Sequence, residues 1–207
     1  MGEGLPDIYL RFDGIEAECT DELHPGAKAD AVNGKWGWFQ FKSFNFNFSV
    51  TDKGDATAES GAKGGSKKTD APKTAAKDKT KDAGPHSHPD ITVSKSLDSA
   101  SALLWSTKCY EGKAIKQVEL EACRTGGIEG AEKIPFVRLT FEGVFVKSIT
   151  MSVTEDALPS ESLVFSYERV KMESIWTDNE TGKRLIEQPR RFAWDFKNNK
   201  QWKGEGE

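Results

Sequence analysis

Three histidines and three cysteines are the side chains in this sequence best suited to act as ligands, bases or nucleophiles near neutral pH. His86 and His88 flank Ser87 and could hold a metal weakly, but no cysteine or acidic cluster accompanies them. A metal site needs fixed geometry, which the polar stretch around them does not promise. His24 lies between Leu23 and Pro25 with no evident partner, so a solvent-exposed ring is expected rather than a general base. Cys19, Cys109 and Cys123 are unevenly spaced and form no Cys-x-x-Cys, which predicts reduced thiols and synthesis in the cytoplasm. Cys109 follows Lys108, which would lower its pKa, although a half-buried thiol on a helix is the commoner setting. Asn179-Glu180-Thr181 matches a glycosylation acceptor, and a hairpin turn explains it equally well. No acid/base pair and no nucleophile with its base can be assembled, so no enzyme, cofactor or metal is expected.

Composition agrees with a non-catalytic role. The 207 residues suit one domain with appendages, and a formal charge of −4 argues against a general nucleic-acid binder. No apolar run reaches the roughly 18 residues of a membrane span. The first residues lack the basic-then-apolar pattern of a signal peptide.

One helix is predicted, over residues 98–111. Ala100, Leu103, Leu104 and Thr107 share a face at helical spacing, Ser96 or Asp98 can cap its start, and Gly112 suits a left-handed stop. The rest reads as strands. Ile8, Leu10 and Phe12 alternate with Asp7, Tyr9 and Arg11, and Asp13-Gly14 turns the chain. Residues 16–34 read as a polar loop. In the aromatic stretch 36–50, Phe44, Phe46, Phe48 and Val50 share one face, with Trp36 and Trp38 in the same parity and Phe39 and Phe41 in the other. A bulge, or a strand buried on both faces, would explain the change. Only Lys35 and Lys42 lie near these aromatics, so core packing is expected rather than base stacking.

Further alternating runs centre on Ile91 and Val93, on Val118 and Leu120, and on Val137, Leu139 and Phe141 continuing past Gly143 to Val153. Others centre on Leu163 and Phe165, on Val170 and Met172, and on Phe192, Trp194 and Phe196. Several short strands separated by turns predict a sandwich or barrel. Residues 52–89 contain no Val, Ile, Leu or aromatic residue and cannot offset their ordering entropy by burial. They read as a flexible polar insertion at a hairpin tip, made locally basic by Lys63, Lys67, Lys68, Lys73, Lys77, Lys79 and Lys81. Residues 174–207 read as a C-terminal strand extension of the same single domain over 1–207.

The order of the pieces carries a resemblance: Asp7-Ile8-Tyr9-Leu10, the Trp36-Gly37-Trp38 pair, Ser99 to Leu104, Lys113 to Val118, Val137 to Val144, Glu161 to Tyr167, Val170-Lys171-Met172, and Trp194-Asp195 with Asn198-Asn199-Lys200. Together they resemble the Hcp family, the haemolysin-coregulated tube proteins of the bacterial type VI secretion system, over nearly the whole chain except 52–89. The resemblance implies a mainly β protein, a β-barrel of two packed sheets with one flanking α-helix. It implies hexameric rings that stack into an expelled tube, carry effectors in the lumen, and contact sheath and spike. It also implies a cytoplasmic protein that is secreted on firing without a signal peptide, with no nucleic acid bound and no membrane insertion. A lumen-facing position of the family lies between the two Trp and matches Gly37. The family's projecting loop matches the insertion, so its lysines would reach a neighbouring ring or another component. The alternatives are a tail-tube subunit of another contractile injection machine or phage, and a free ligand-binding β-sandwich.

Overall fold

Alternation of apolar and polar residues makes most of this chain strand, and the described residues form twelve strands and two short helices. The computed structural model describes residues 6–19, 21–32, 37–46, 49–52, 83–87, 90–106, 112–126, 132–155, 157–178, 181, 185–186 and 188–203. In order these form β1 (Asp7–Phe12), α1 (Pro25–Val32), β2 (Trp38–Phe41), β3 (Ser43–Asn45), β4 (Ser49–Asp52), β5 (Ala83–Ser87) and β6 (Ile91–Ser96). Then come α2 (Ser101–Ser106), β7 (Ile115–Gly126), β8 (Glu132–Thr154), β9 (Ala157–Ser166), β10 (Arg169–Ser174), β11 (Arg190–Asp195) and β12 (Lys200–Gln201).

One sheet runs β12-β11-β10-β8-β7-β1-β2, and β8 also joins it to a second sheet in which β9 pairs β6 and β6 pairs β3. The 23-residue β8 serves both sheets because it turns a corner. Val137–Val144 face β7, while Phe145 onward pairs β9. Gly143 sits at the changeover with φ +62°, and a Cβ there would lie 2.8 Å from Glu168 Cγ. Only glycine suits such a corner. The second corner is Lys42, between β2 and β3, whose N–H donates to the Ser94 carbonyl at 2.7 Å. The pairings run from β2 through β1, β7 and β8 to β9, β6 and β3, and the chain itself continues from β2 into β3 through Lys42.

The inner faces meet in one core. Ile8, Leu10 and Phe12 pack with Phe39, Phe41, Leu120, Phe141 and Phe165. The rings meet edge to face, as in Phe12–Phe39 and Phe141–Phe165, both 5.7 Å between centroids. Each fully buried side chain of this size contributes roughly 1.5–3 kcal/mol. Trp194 and Phe196 pack against the rim of the same core, so the C-terminal extension is part of the first sheet.

Four expectations change. The described part of the predicted 98–111 helix is α2, and residues 107–111 lie outside the described residues. Gly112 has the left-handed φ, +55°, anticipated for it. Leu103 is 45% exposed, while Leu104 of α2 and Ala100 just before it face the core. A second helix, α1, occupies the stretch read as a loop. It starts with Pro25, favoured at a first helical position, but carries no apolar stripe by which periodicity could find it. Tyr9, placed on a polar face by alternation, is fully buried: Ala27 of α1, Trp38 and Cys123 cover it in a second, smaller cluster on the outside of the first sheet. Covering from both sides also explains Trp38 and Phe39, adjacent residues that enter different clusters. Finally, β4 and β5 form an antiparallel ladder from Ser49↔Ser87 to Asp52↔Ala83, so residues 83–87 of the proposed insertion are strand. Residues 53–82 lie outside the described residues.

Candidate functional site

Three regions outside the main core could carry function: a buried polar cluster under α1, the ion-paired face of the first sheet, and exposed apolar surface at two edges.

The cluster forms because Pro25 starts α1 directly after His24, which puts the imidazole in capping position. His24 Nδ1 accepts the Ala27 N–H at 3.0 Å, so Nε2 carries the proton and donates to Glu121 Oε2 at 3.0 Å. Tyr9 stacks on the ring at 4.1 Å, and Tyr9 Oη donates to Asp21 at 2.5 Å. His24 is therefore 0% exposed, not solvated as its polar neighbours suggested. The sequence hides its partner, Glu121, 97 residues away.

Donor atoms of His24, Glu121 and Cys123 lie within 4.8 Å of one another, a spacing compatible with metal ligation or a thiol–imidazole–carboxylate relay. The bonding favours neither. Both ring nitrogens are engaged, and Arg138 sits 2.6 Å from Glu121 Oε1. Burial, with the Glu121 carboxylate close by, pushes the Cys123 thiol up to about 12, far from a thiolate at neutral pH. Burial alone would raise Glu121, but the His24 N–H and the Arg138 guanidinium outweigh it and hold its carboxyl below the usual range. The chemistry is that of a latch joining α1 to β7.

Glu121 also begins a row across the sheet. Glu121, Arg138, Glu173 and Arg191 stand opposite one another on β7, β8, β10 and β11, with Arg191 2.8 Å from Glu173. A parallel row has Arg169 at 3.0 Å from both Glu142 and Asp195. The arginines of these rows are partly exposed, whereas Glu121, Glu173 and Asp195 are buried.

The other edges differ. The β8–β9 hairpin runs beyond the last β6 pair, Ser96↔Ser160, and carries exposed Met151, Val153 and Leu158, the last 76% exposed. On the C-terminal side, Trp176 is 60% exposed and bonds through its carbonyl to the Leu185 N–H at 2.8 Å. Of the positions singled out in the sequence, Gly37 is half-buried just before β2. Lys63, Lys67, Lys68, Lys73, Lys77, Lys79 and Lys81 lie outside the described residues, as do His88 and Cys109. His86 contributes backbone to the β4–β5 ladder.

Solved structures place this architecture in a class. A type six secretion system protein superposes with a TM-score of 0.68 at 22% identity, covering 95% of this chain and 99% of that one. Hcp1 from Salmonella typhimurium gives 0.61 at 19% identity, covering 96% and 100%. A type VI secretion system effector from Yersinia pestis gives 0.53 at 18% identity, covering 91% and 98%. At these identities the likeness establishes the fold. No curated protein sequence matches the chain. The family described as "Type VI secretion system effector, Hcp" matches residues 66–173, more than half of the chain, which therefore belongs to that family. It is a type VI secretion tube protein, secreted by that system and oligomeric in its assembly. The match begins inside the polar segment set apart in the sequence and ends at Glu173, where the C-terminal extension starts.

Proposed function

We propose that this chain is the subunit of a hexameric ring, and that stacked rings form the inner tube which a contractile sheath expels with its spike. Effectors travel in the lumen, with Gly37 on its wall. The subunit waits in the cytoplasm, works without a cofactor, and catalyses nothing. Residues 1–207 act as one domain, with 174–207 completing the first sheet. The lysines from Lys63 to Lys81 reach a stacked ring or another part of the machine.

The observation that carries the ring is apolar surface left open on one subunit, with Met151, Val153 and Leu158 at one edge and Trp176 and Leu185 at another. Soluble monomers rarely expose such contiguous groups, and association buries them. Light scattering on the purified protein tests the reading. The expected mass is six times the 22.9 kDa of one chain, and a monomer at micromolar concentration and above refutes it.

A further inference from the structure

The two exposed apolar edges differ in shape. The β8–β9 hairpin projects: its pairing continues to Thr154↔Ala157, past the end of β6, and Val153 and Leu158 stand on the projecting part. Beside its base, Leu97, Ala102, Trp105 and Met151 line a groove of about 500 Å³. The second edge is an overhang. Val170 and Trp194 stand opposite each other at the core, and the pair Met172↔Phe192 comes next along the same face. Past Ser174↔Arg190, the last pair of these strands, the segments that follow β10 and precede β11 carry Trp176 and Leu185, both exposed and joined by the Leu185 N–H to the Trp176 carbonyl.

Charge distinguishes the edges as well. Glu155 at the hairpin turn flanks the first and Arg190 the second, while Asp98 at the groove is paired with Lys95 and Arg191 with Glu173. One apolar surface projects beside Glu155, and the other lies beside Arg190.

We propose that the β8–β9 hairpin of one copy seats on the β10–β11 overhang of the next, Val153 and Leu158 against Trp176 and Leu185, with Glu155 facing Arg190. This rests on the self-assembly proposed above and specifies which surfaces meet. Two unlike patches on every chain make a heterologous contact, which closes into a ring when the rotation allows. Opposite charges at the rim set partner choice and encounter rate more than affinity.

The test uses the full chain in two variants, Leu158→Glu and Trp176→Glu, each altered at one exposed position. At a concentration where the parent forms rings, each variant alone is expected as a monomer. A one-to-one mixture is expected to give dimers and nothing larger, because one intact hairpin can meet one intact overhang. A mixture that stays monomeric while the parent assembles overturns the pairing and leaves the ring standing. Either variant assembling like the parent also overturns the pairing. A monomeric parent sinks both the pairing and the ring. If a glutamate variant loses its melting transition, the charge pair decides. Arg190→Glu and Glu155→Arg should each raise the concentration for half-assembly by roughly tenfold, about 1.4 kcal/mol, and the double variant should restore it. Absence of that rescue counts against the contact.

Discussion

Helices α2 and α1 each lie against a sheet and are tied to it by a buried charged side chain, yet they keep their places by different means. Helix α2 contributes Leu104 to the main core, with Ala100 just before its first residue. Beneath it the fully buried Lys95 ammonium meets Glu161 at 2.8 Å and Asp98 at 2.5 Å, and Trp105 Nε1 donates to Glu161 at 2.9 Å. Helix α1 gives Ala27 to the small outer cluster and depends on the His24 cap and its bond to Glu121. Apolar burial holds the first helix, and the ion pair fixes its register. Hydrogen bonding holds the second. The difference teaches that a polar latch can place a helix that hydrophobic pattern alone would not.

Changes at the two helices should separate these roles. Leu104→Asp should have the largest effect, since it buries an unpaired carboxylate at a cost of several kcal/mol against a total stability of about 5–15. Loss of the cooperative thermal transition is expected, and unchanged melting would mean that α2 does not cover the core. Glu161→Ala should come next, at roughly 3–5 kcal/mol in denaturant unfolding, because it strands a buried ammonium. Pairing Lys95→Met with Glu161→Leu should recover most of that loss, and failure to recover would show that the ion pair does more than satisfy itself. His24→Ala should cost about 1–2 kcal/mol through the lost cap and hydrogen bond. Its signature is local: faster amide exchange in α1 and altered Trp38 fluorescence, with β-core exchange unchanged.

Acid sharpens the same comparison. In the folded protein, the His24 and Arg138 contacts outweigh burial and hold Glu121 low, while Asp21 is held low against burial by the Tyr9 hydroxyl and the Leu23 N–H. Because the folded values are depressed, this stabilisation is complete above the ordinary carboxylate range of about 4 and is lost as pH falls through the lowered values. Loosening of α1 should therefore precede unfolding of the core on acidification, and His24→Ala should flatten that first step. The smallest effect on stability is expected from replacing residues 53–82 by a short Gly-Ser turn across the β4–β5 ladder, since closure cost changes slowly with loop length. Melting and ring mass should stay near the parent's, while stacking or secretion should fall. Loss of the ring would make the segment structural.

Much of the barrel was legible in the sequence because its strands alternate cleanly. The run from Val137 past Gly143 to Val153 is one strand, and its glycine is the corner. The 36–50 aromatic stretch was readable only as a conflict of parity, which the Lys42 corner and the second cluster resolve. Tyr9 and His24 were misplaced for one reason. Their cover, α1, is held by a bond to Glu121, and no local pattern announces a contact 97 residues distant. Leu103 misled because helical spacing groups it with Leu104, whereas only Leu104 of that pair faces the core. Exposed surface such as Trp176 looks like core in a sequence, and only its exposure past the end of β10 reveals it as an edge.

Negative-stain electron microscopy of the purified full-length protein tests the central claim most directly. Rings with six-fold symmetry, some stacked end to end around an open lumen, are the expected result. Particles of a single subunit at every concentration examined would contradict it.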